Sequence, residues 1–362
     1  MFQIITIKQN RIKKVYLWGN ALDLSLNQYL QQQKIALIRV EDGFLRSLGL
    51  GANFIPPYSL CFDPKVVYYD ANQESQLEYL IKNFDKNSEL KNLIEAAECI
   101  NLIKEHSLSK YNFIATHHAA KIYGKKIKKR VLVIGQVEDD QSIQYGANQQ
   151  YSNNDLVRLA VKENPDAEVF YKVHPDVLHG KRSYLSNPKD VQDICKIIDI
   201  EMTINDALTE VDHVYTITSL TGFEALLRGI KVTTLGAPFY SGWGLTDDRQ
   251  MVDRRKGITR SIEEVFVCAY LLYPTYFDPK TGEKMTLRKV IRRLISDLAE
   301  QTQKTQKNNN NKVTAKKVEQ NSMTASLAWL NTEDEVELSS ASYYLYLPWI
   351  AEHGDFVIHA IK

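Results

Sequence analysis

The sequence predicts an α/β protein with two βαβ domains that face each other across a cleft. Strand-like apolar segments alternate with amphipathic helical segments twice, once before residue 121 and once after residue 130. A basic segment, "KIYGKKIKKR" at residues 121–130, separates the two series. Polar loops follow four of the strands. In open parallel sheets such loops share one edge, and ligands bind there.

Composition limits the classes of function. The chain has 362 residues, of which 44% are apolar and 25% charged, so two domains with proper cores are possible. With 45 basic and 44 acidic residues the net charge is +1, and we expect no nucleic-acid partner. Four cysteines lie far apart without metal-ligand spacing, so we expect free thiols and no metal site.

The apolar segments are short. No stretch approaches 18 uninterrupted apolar residues, and the first residues, "MFQIITIKQNRIKK", lack the pattern of a cleavable signal. We therefore expect a cytoplasmic protein that could also lie on the inner face of a membrane as a peripheral protein.

The first domain is predicted to span residues 1–125. Strands are expected at "KKVYLWGN", "IALIRV" and "SLCFDPKVVYYDA", with a helix at "ALDLSLNQYLQQQK" between the first two. Residues 75–110 are predicted to be helical, because in "SQLEYLIKNF" the apolar residues recur at i, i+3 and i+4.

The second domain is predicted to span residues 126–265. Its predicted strands are "VLVIGQ", "AEVFYKVHP", "HVYTITS" and "IKVTTLGAPF", and its helices are "NNDLVRLAVKENP" and "LTGFEALLRG". Residues 266–302 are predicted as helices that return to the first domain. The polar, low-complexity residues 303–320 are predicted to form a flexible linker, and residues 321–362 a small tail or truncated further module.

Carboxylates follow two of the predicted strands. Glu138, Asp139 and Asp140 come side by side after "VLVIGQV", and their mutual repulsion requires a compensating arrangement. In "RVEDGFLRS", Glu41 and Asp42 lie between two arginines. This second loop is either a salt-bridged turn or a site in which a carboxylate moves a proton and an arginine binds a substrate carboxylate.

Two further loops favour an anion. His174 follows a strand directly and Pro175 fixes the turn, with further basic side chains close by: Lys172, His179, Lys181 and Arg182. Several donors that converge on one phosphate would bind it well.

In "TSLTGFEALLRG", the hydroxyls of Thr218, Ser219 and Thr221 precede a helix expected to begin near Gly222. They either cap the helix or hold a phosphate at its N-terminus. The aromatic residues of "GAPFYSGWG" either stack on a base or sugar ring or fill the domain interface.

Taken together, the motifs resemble the KpsC-type family of capsule polysaccharide β-Kdo glycosyltransferases. The matching stretches lie within residues 39–283 and include "RVEDGFLRSLGLGA", "QVEDDQSIQYGA", "YKVHPDVLHGKR" and "SLTGFEALLRGIKVTTLGAPFYSGWGLTDDR". The resemblance implies a GT-B-like fold, with two Rossmann-like domains whose parallel sheets face a central cleft. It also implies CMP-β-Kdo as donor, a glycan or lipid-linked Kdo acceptor, no cofactor, and retention of the β configuration.

The resemblance also assigns roles to residues. The pattern is similar to that of bacterial sialyltransferases, in which an acidic pair before glycine, an HP motif and a Ser/Thr pair occur together. The cations expected at the sugar carboxylate are Arg39 and Arg46, with Lys181 or Arg182 as alternatives. The donor-binding residues implied are Lys172, His174, Pro175, Arg182, Thr218, Ser219, Thr221, Gly222 and Glu224.

Retention by double displacement requires a nucleophile and a base. The family pattern "QVExDxSI" implies Asp140 as nucleophile, with Glu138 and Asp139 as supports. Glu41 or Asp42 is the base, and the sialyltransferase analogy favours Asp42. Two alternatives stay open: an inverting sialyltransferase-like enzyme that uses another CMP-ulosonic acid, and a GT-B module that binds glycan without catalysis.

Overall fold

Two six-stranded sheets form the framework of the protein. The computed structural model describes residues 13–49, 55–112, 122–312 and 356–359. The strands are β1 (Lys14–Trp18), β2 (Ala36–Asp42), β3 (Ser59–Asp63), β4 (Arg130–Ile134), β5 (Glu168–Lys172), β6 (Lys196–Ile198), β7 (His213–Thr216), β8 (Lys231–Thr234), β9 (Asp247–Asp248), β10 (Pro274–Phe277), β11 (Lys284–Met285) and β12 (Phe356–His359).

The helices cover the sheets, and several begin at side-chain caps. Asp23 caps the first helix by accepting the N–H of Leu26, and Ser152 forms a capping box with Asp155. The helices are α1 (Leu24–Gln32), α2 (Gln76–Lys82), α3 (Leu90–Glu105), α4 (Gln141–Gly146), α5 (Asn153–Glu163), α6 (Pro175–Leu178), α7 (Ile204–Leu208), α8 (Thr221–Leu227), α9 (Ile262–Phe266) and α10 (Leu287–Lys312). Among the described residues, no helix is both long and apolar enough to cross a membrane.

The second sheet is parallel throughout, in the order β6-β5-β4-β7-β8-β9. Counted from β4, this is the 3-2-1-4-5-6 order of Rossmann domains, whose topological switch point lies between the first and fourth strands. Strand β4 is buried along its whole length, as its run of valine and leucine predicts. The loops after β4 and β7 therefore meet at the position where such folds bind ligands.

The first sheet is mixed, in the order β11-β10-β3-β2-β1-β12. Strands β12, β1 and β2 are parallel, whereas β3, β10 and β11 are antiparallel to their neighbours. Where the sequence predicts only helices, in residues 266–302, β10 and β11 extend this sheet before α10 begins. The aromatic and β-branched residues of "PTYF" explain the strand, because such side chains pack well on a pleated surface.

The C-terminal boundaries also differ from the sequence prediction. Helix α10 continues to Lys312 and so occupies the first part of the linker predicted at residues 303–320. Its lysine and glutamine residues are good helix formers, which composition alone did not distinguish from a flexible segment. The rest of that linker lies outside the described residues, and of the tail only β12 is described, parallel to β1.

A column of aromatic rings joins the two domains. Phe44, from the loop after β2, packs on Phe239 with ring centroids 4.8 Å apart and on Tyr270 at 5.6 Å. Phe239 in turn packs on Phe223 of α8 at 5.2 Å. The aromatic residues of "GAPFYSGWG" are all buried, so they fill the interface: Phe239, Tyr240 and Trp243. One continuous core therefore runs through both domains.

A buried ion cluster fixes the same interface. Glu78 of α2 is 3% exposed and accepts from Arg255 (Nη2 to Oε2, 2.9 Å) and Arg254 (Nε to Oε1, 2.8 Å), both from the second domain. Arg255 also donates to the carbonyl oxygens of Pro238 and Ser241. Because these charges are paired and hydrogen-bonded, their burial is tolerated, and the two domains are held in one orientation.

Replacing Glu78 tests whether this ion cluster stabilises the domain interface. Glu78→Gln leaves the buried guanidinium of Arg255 and the partly exposed one of Arg254 without a counter-charge. We expect it to lower the free energy of unfolding by about 3–5 kcal/mol. The matched control is Glu74→Gln, since Glu74 pairs with Lys65 and Lys82 at the surface and such pairs contribute at most about 1 kcal/mol. Urea unfolding measures both. Equal losses of unfolding free energy in the two variants would contradict a stabilising role of the ion cluster.

Candidate active site

Gln136 ties together the loops after β4 and β7 at the switch point. Its Oε1 accepts from the backbone N–H groups of Thr218 (2.9 Å) and Ser219 (3.1 Å), and its Nε2 donates to the Thr218 hydroxyl (3.0 Å). The backbone of Gln136 is held in turn by the Asn153 side chain. The two loops are therefore fixed relative to each other.

Partners from neighbouring loops compensate the three adjacent acids. Glu138 accepts from the backbone N–H groups of Asn153 (2.6 Å), Leu185 (2.9 Å) and Ser186 (2.7 Å). Asp139 forms an ion pair with Arg182, 2.6 Å between Oδ1 and Nη2. Glu138 thus anchors the loop that follows α6, and the predicted donor ligand Arg182 is engaged by Asp139.

Asp140 is placed differently from its two neighbours. It is the N-cap of α4, and its Oδ1 accepts from the N–H of Ser142 at 2.8 Å. Its second oxygen, Oδ2, has no hydrogen bond to any residue that the structure describes. The half-buried carboxylate is therefore oriented through one oxygen, while the other stays available to a ligand at the switch point.

Glu41 faces this loop from the first domain. The Tyr69 hydroxyl lies 2.8 Å from Glu41 Oε1 and 3.0 Å from Oε1 of Gln141, the residue after Asp140. Gln141 Oε1 also accepts the Asn20 N–H at 3.4 Å. Gly19 has φ +72°, and a Cβ there would lie 3.3 Å from Gln141 Oε1. Glycine thus permits the close approach of the two domains at this point.

The pKa of Glu41 is raised to about 7. Burial is the main cause, and the hydrogen bond from Tyr69 lowers the pKa again by stabilising the charged form. Asp42 and Asp140 raise it, whereas Lys110 lowers it. A carboxyl group that titrates near neutral pH can both take up and release a proton under physiological conditions.

Asp42 and Arg46 form an ion pair, whereas Arg39 makes fewer contacts. Asp42 pairs with Arg46 at 2.6 Å, and Arg46 also donates to the Ser47 hydroxyl and the Ile55 carbonyl. Arg39 donates through Nη1 to the Asn20 carbonyl at 2.8 Å, while its buried Nε has no partner among the described residues. Of the two arginines predicted to bind a sugar carboxylate, Arg39 therefore keeps the freer donor.

Lys172 ends β5, and His174 follows the strand at the same edge. His174 is the N-cap of α6, and its Nδ1 accepts from the Asp176 N–H at 3.1 Å, so the neutral ring carries its proton on Nε2. Pro175 occupies the first turn of α6. Burial lowers the pKa of His174 and lowers that of Lys172 to about 8. The histidine is thus neutral at pH 7 and presents an N–H donor.

The Ser/Thr loop keeps its hydroxyl protons free for donation. Thr218 Oγ1 accepts from Gln136, and Ser219 Oγ accepts from the Thr221 N–H at 3.2 Å, so both oxygens are used as acceptors. The Gly222 N–H already bonds to the Ser219 carbonyl. A ligand phosphate at this loop would therefore meet the two hydroxyls rather than the first N–H groups of α8.

Two residues that were predicted to bind the donor contact other parts of the protein instead. A Cβ on Gly222 would lie 2.2 Å from the Tyr240 hydroxyl, so glycine is required here for packing. Glu224 is buried, and its Oε1 accepts from the Lys110 N–H at 3.0 Å, which links α8 to the first domain. Burial raises the pKa of Glu224. The contacts of both residues belong to the domain interface.

Sequence reasoning missed Gln136, Gln141, Tyr69 and Lys110. The two glutamines lie in "QVEDDQSIQYG", at the end of a strand already identified as a ligand edge, so their position carried a usable signal. Tyr69 and Lys110 reach the site through irregular segments, and no periodicity marks them. Among the described residues, no group of three or more His, Cys, Asp or Glu side chains could hold a metal ion.

The fold and this edge define a two-domain protein of the Rossmann type with an acidic ligand site at the switch point. Residues 13–278 match the family described as "Capsule polysaccharide biosynthesis protein", and the chain belongs to this family. It is 47% identical to the lipopolysaccharide-processing protein LpsZ of Rhizobium meliloti over 276 residues, covering 76% of this chain and 62% of LpsZ.

Other relatives extend the comparison. The capsule polysaccharide modification protein LipA of Neisseria meningitidis serogroup A is 37% identical over 310 residues, covering 85% of this chain and 42% of LipA. The chain thus spans less than two thirds of these two relatives.

Two solved structures from Thermosulfurimonas dismutans are similar. KpsC, titled beta Kdo 2,4 transferase, has a TM-score of 0.70 at 37% identity and covers 78% of this chain and 87% of that one. KpsC, titled beta Kdo 2,7 transferase, has a TM-score of 0.61 at 30% identity and covers 81% and 88%. The predicted α/β, GT-B-like fold of two Rossmann-like domains is confirmed. In the first sheet β3, β10 and β11 pair antiparallel with their neighbours, so that this sheet is mixed and not parallel throughout.

Gln136→Leu tests the link across the switch point. It leaves the buried N–H of Thr218 without its acceptor, whereas the Ser219 N–H keeps the Thr216 hydroxyl oxygen at 3.1 Å. We expect a loss of about 1–3 kcal/mol in the free energy of unfolding. Gln144→Leu is the matched control, since Gln144 is exposed on α4 and, within the part of the chain that the structure describes, its side chain donates only to the Asp139 carbonyl. Chemical denaturation measures both variants. A loss no larger than in the control would show that Gln136 does not fix the two loops.

Proposed function

We propose that this protein is a retaining β-Kdo glycosyltransferase that moves Kdo from CMP-β-Kdo to a glycan or lipid-linked acceptor in capsule polysaccharide biosynthesis. The observation that carries the proposal is the pairing of Asp140, available at the switch point, with Glu41, a carboxyl group of pKa about 7 on the facing domain. The titles of the two solved relatives support the choice of sugar.

The donor is held by neutral and cationic hydrogen-bond donors. Nε2 of His174 and the hydroxyls of Thr218 and Ser219 bind the CMP phosphate, whose negative charge increases as the glycosidic bond breaks. Lys172, at the same edge, adds positive charge when protonated. Arg39 binds the Kdo carboxylate through its guanidinium group, of which one nitrogen is held by the Asn20 carbonyl. No resident cofactor takes part in these steps.

Asp140 is the nucleophile in the first step. One oxygen is held by the Ser142 N–H, and Oδ2 attacks the anomeric carbon while the bond to the CMP phosphate breaks. CMP leaves with the bonding electron pair, and Kdo remains as an ester of Asp140. The other two acids support the loop: Glu138 fixes its fold, and Asp139 keeps Arg182 in place.

Glu41 rather than Asp42 is the base of the second step. The sequence analogy favours Asp42, but that carboxylate is paired with Arg46 at 2.6 Å. Glu41 takes the proton of the acceptor hydroxyl, whose oxygen attacks the anomeric carbon and displaces Asp140. Two displacements restore the original configuration, so the product keeps the β anomer.

Asp140→Asn tests the nucleophile. With CMP-Kdo and a panel of synthetic glycan and lipid-linked acceptors, we expect turnover to fall by roughly 10³-fold or more. Asp139→Asn, one residue away and more exposed, is the matched control and should keep most of its turnover. Intact-mass spectrometry of the native protein with donor alone should show one Kdo adduct, and mass spectrometry after proteolysis should place it on a peptide that contains Asp140. Near-normal turnover of Asp140→Asn would exclude Asp140 as the nucleophile.

The pH dependence tests the base. Glu41 acts in the second step and must be deprotonated there, and its pKa is about 7. Therefore kcat/KM for the acceptor should rise with pH and reach half its plateau near pH 7. Glu41→Gln should abolish this rise together with most of the activity, whereas Asp42→Asn should keep the rise. An α-anomeric product by NMR, or a pH profile unchanged in Glu41→Gln, would contradict the assignment.

A further inference from the structure

Tyr69 has one hydroxyl proton but two acceptors within hydrogen-bond distance. Glu41 Oε1 lies 2.8 Å and Gln141 Oε1 lies 3.0 Å from its oxygen. A phenol donates one hydrogen bond, so the two acceptors compete for it. Burial and the neighbouring Glu41 raise the pKa of Tyr69, so the hydroxyl keeps its proton at all physiological pH values.

The two acceptors belong to different domains and to different steps of the proposed reaction. Glu41 lies in β2 of the first domain, and Gln141 is the first residue of α4, directly after Asp140. The hydroxyl of Tyr69 therefore stands between the proposed base and the helix that the proposed nucleophile caps. Gly19 keeps the space beside these three side chains open.

We propose that Tyr69 is a positioning residue that couples the protonation state of Glu41 to the second domain. While Glu41 is a carboxylate, Tyr69 donates its proton to Glu41, because a charged acceptor binds it more strongly. Once Glu41 has taken up the acceptor proton, the Tyr69 proton turns to Gln141 Oε1, and the protonated Glu41 can donate to the Tyr69 oxygen. No net proton passes through Tyr69; only its hydrogen bond changes direction.

This coupling has a consequence for the domain contact. In the second state Gln141 Oε1 accepts both from Tyr69 and from the Asn20 N–H, which are both residues of the first domain. The contact beside Asp140 is thus strongest after the base has been protonated. The inference rests on the proposed role of Glu41 as base for its catalytic meaning, but not for the hydrogen-bond change itself.

Other groups that face Glu41 contribute to its titration, and they are unchanged in the variants below: Asp42, Cys61, Tyr68, Lys110 and Asp140.

Two substitutions should shift the pKa of Glu41 in opposite directions. Tyr69→Phe removes the donor that stabilises the carboxylate, so the pKa should rise by about one pH unit or more. Gln141→Met removes the acceptor that Tyr69 uses when Glu41 is protonated, so the pKa should fall. Tyr79→Phe is the matched control, since Tyr79 is 44% exposed on α2 and away from the site, and it should cause no shift.

The measurement is a ¹³C NMR titration of the full chain labelled at the glutamate side-chain carboxyl carbon, with Glu41→Gln to assign the resonance. It needs no donor sugar, so it decides the inference even if CMP-Kdo is not turned over. Where turnover is observed, the rising limb of kcat/KM should move in the same directions. An unchanged Glu41 pKa in Tyr69→Phe, or a rise in Gln141→Met, would overturn the inference and leave the proposed function standing.

Discussion

The buried pairing of Glu78 with Arg254 and Arg255 is the constraint on which the rest of the structure depends. Charges are costly to bury, and these are tolerated only because each finds a counter-charge or a carbonyl oxygen from the opposite side. Their geometry therefore requires one orientation of the domains. That orientation brings Glu41 of the first domain near Asp140 of the second, the two carboxylates to which the proposed reaction assigns the roles of base and nucleophile.

The aromatic column beside this cluster has a complementary role. The ring packing between Phe44 and Phe239 is apolar and tolerates small displacements of one domain against the other. The ion pairs of the two arginines have a preferred geometry and therefore fix the relative orientation of the domains. Phe44 follows Glu41 and Asp42 by only a few residues, so the segment that carries the acids also carries the ring that anchors it. The position of the proposed base is thus set by core packing.

Much of the second domain could be predicted from the sequence, because "VLVIG", "AEVFYK" and "HVYT" are short apolar runs between clear helices, which is typical of parallel strands. The edge at which ligands bind followed from that pattern. The first domain was harder, since β10 pairs antiparallel with β3 although the whole second domain lies between them in the sequence. The hairpin of β10 and β11 falls in a segment that was predicted as helical. The choice between Glu41 and Asp42 needed three dimensions, because it depends on burial and on the partner Arg46. Tyr69 could not be predicted either, because its contacts with Glu41 and Gln141 depend on how the chain folds.

The first sheet is assembled from segments on both sides of the second domain in the sequence. Strands β1, β2 and β3 come before it, whereas β10, β11 and β12 come after it, and β12 pairs with β1 across most of the chain. During synthesis the outer edges of β1 and β3 therefore stay unpaired until the second domain has been synthesised and β10 and β12 follow it. All six strands of the second sheet, by contrast, come from one continuous part of the chain, residues 130–248, so that sheet can be completed before the first one.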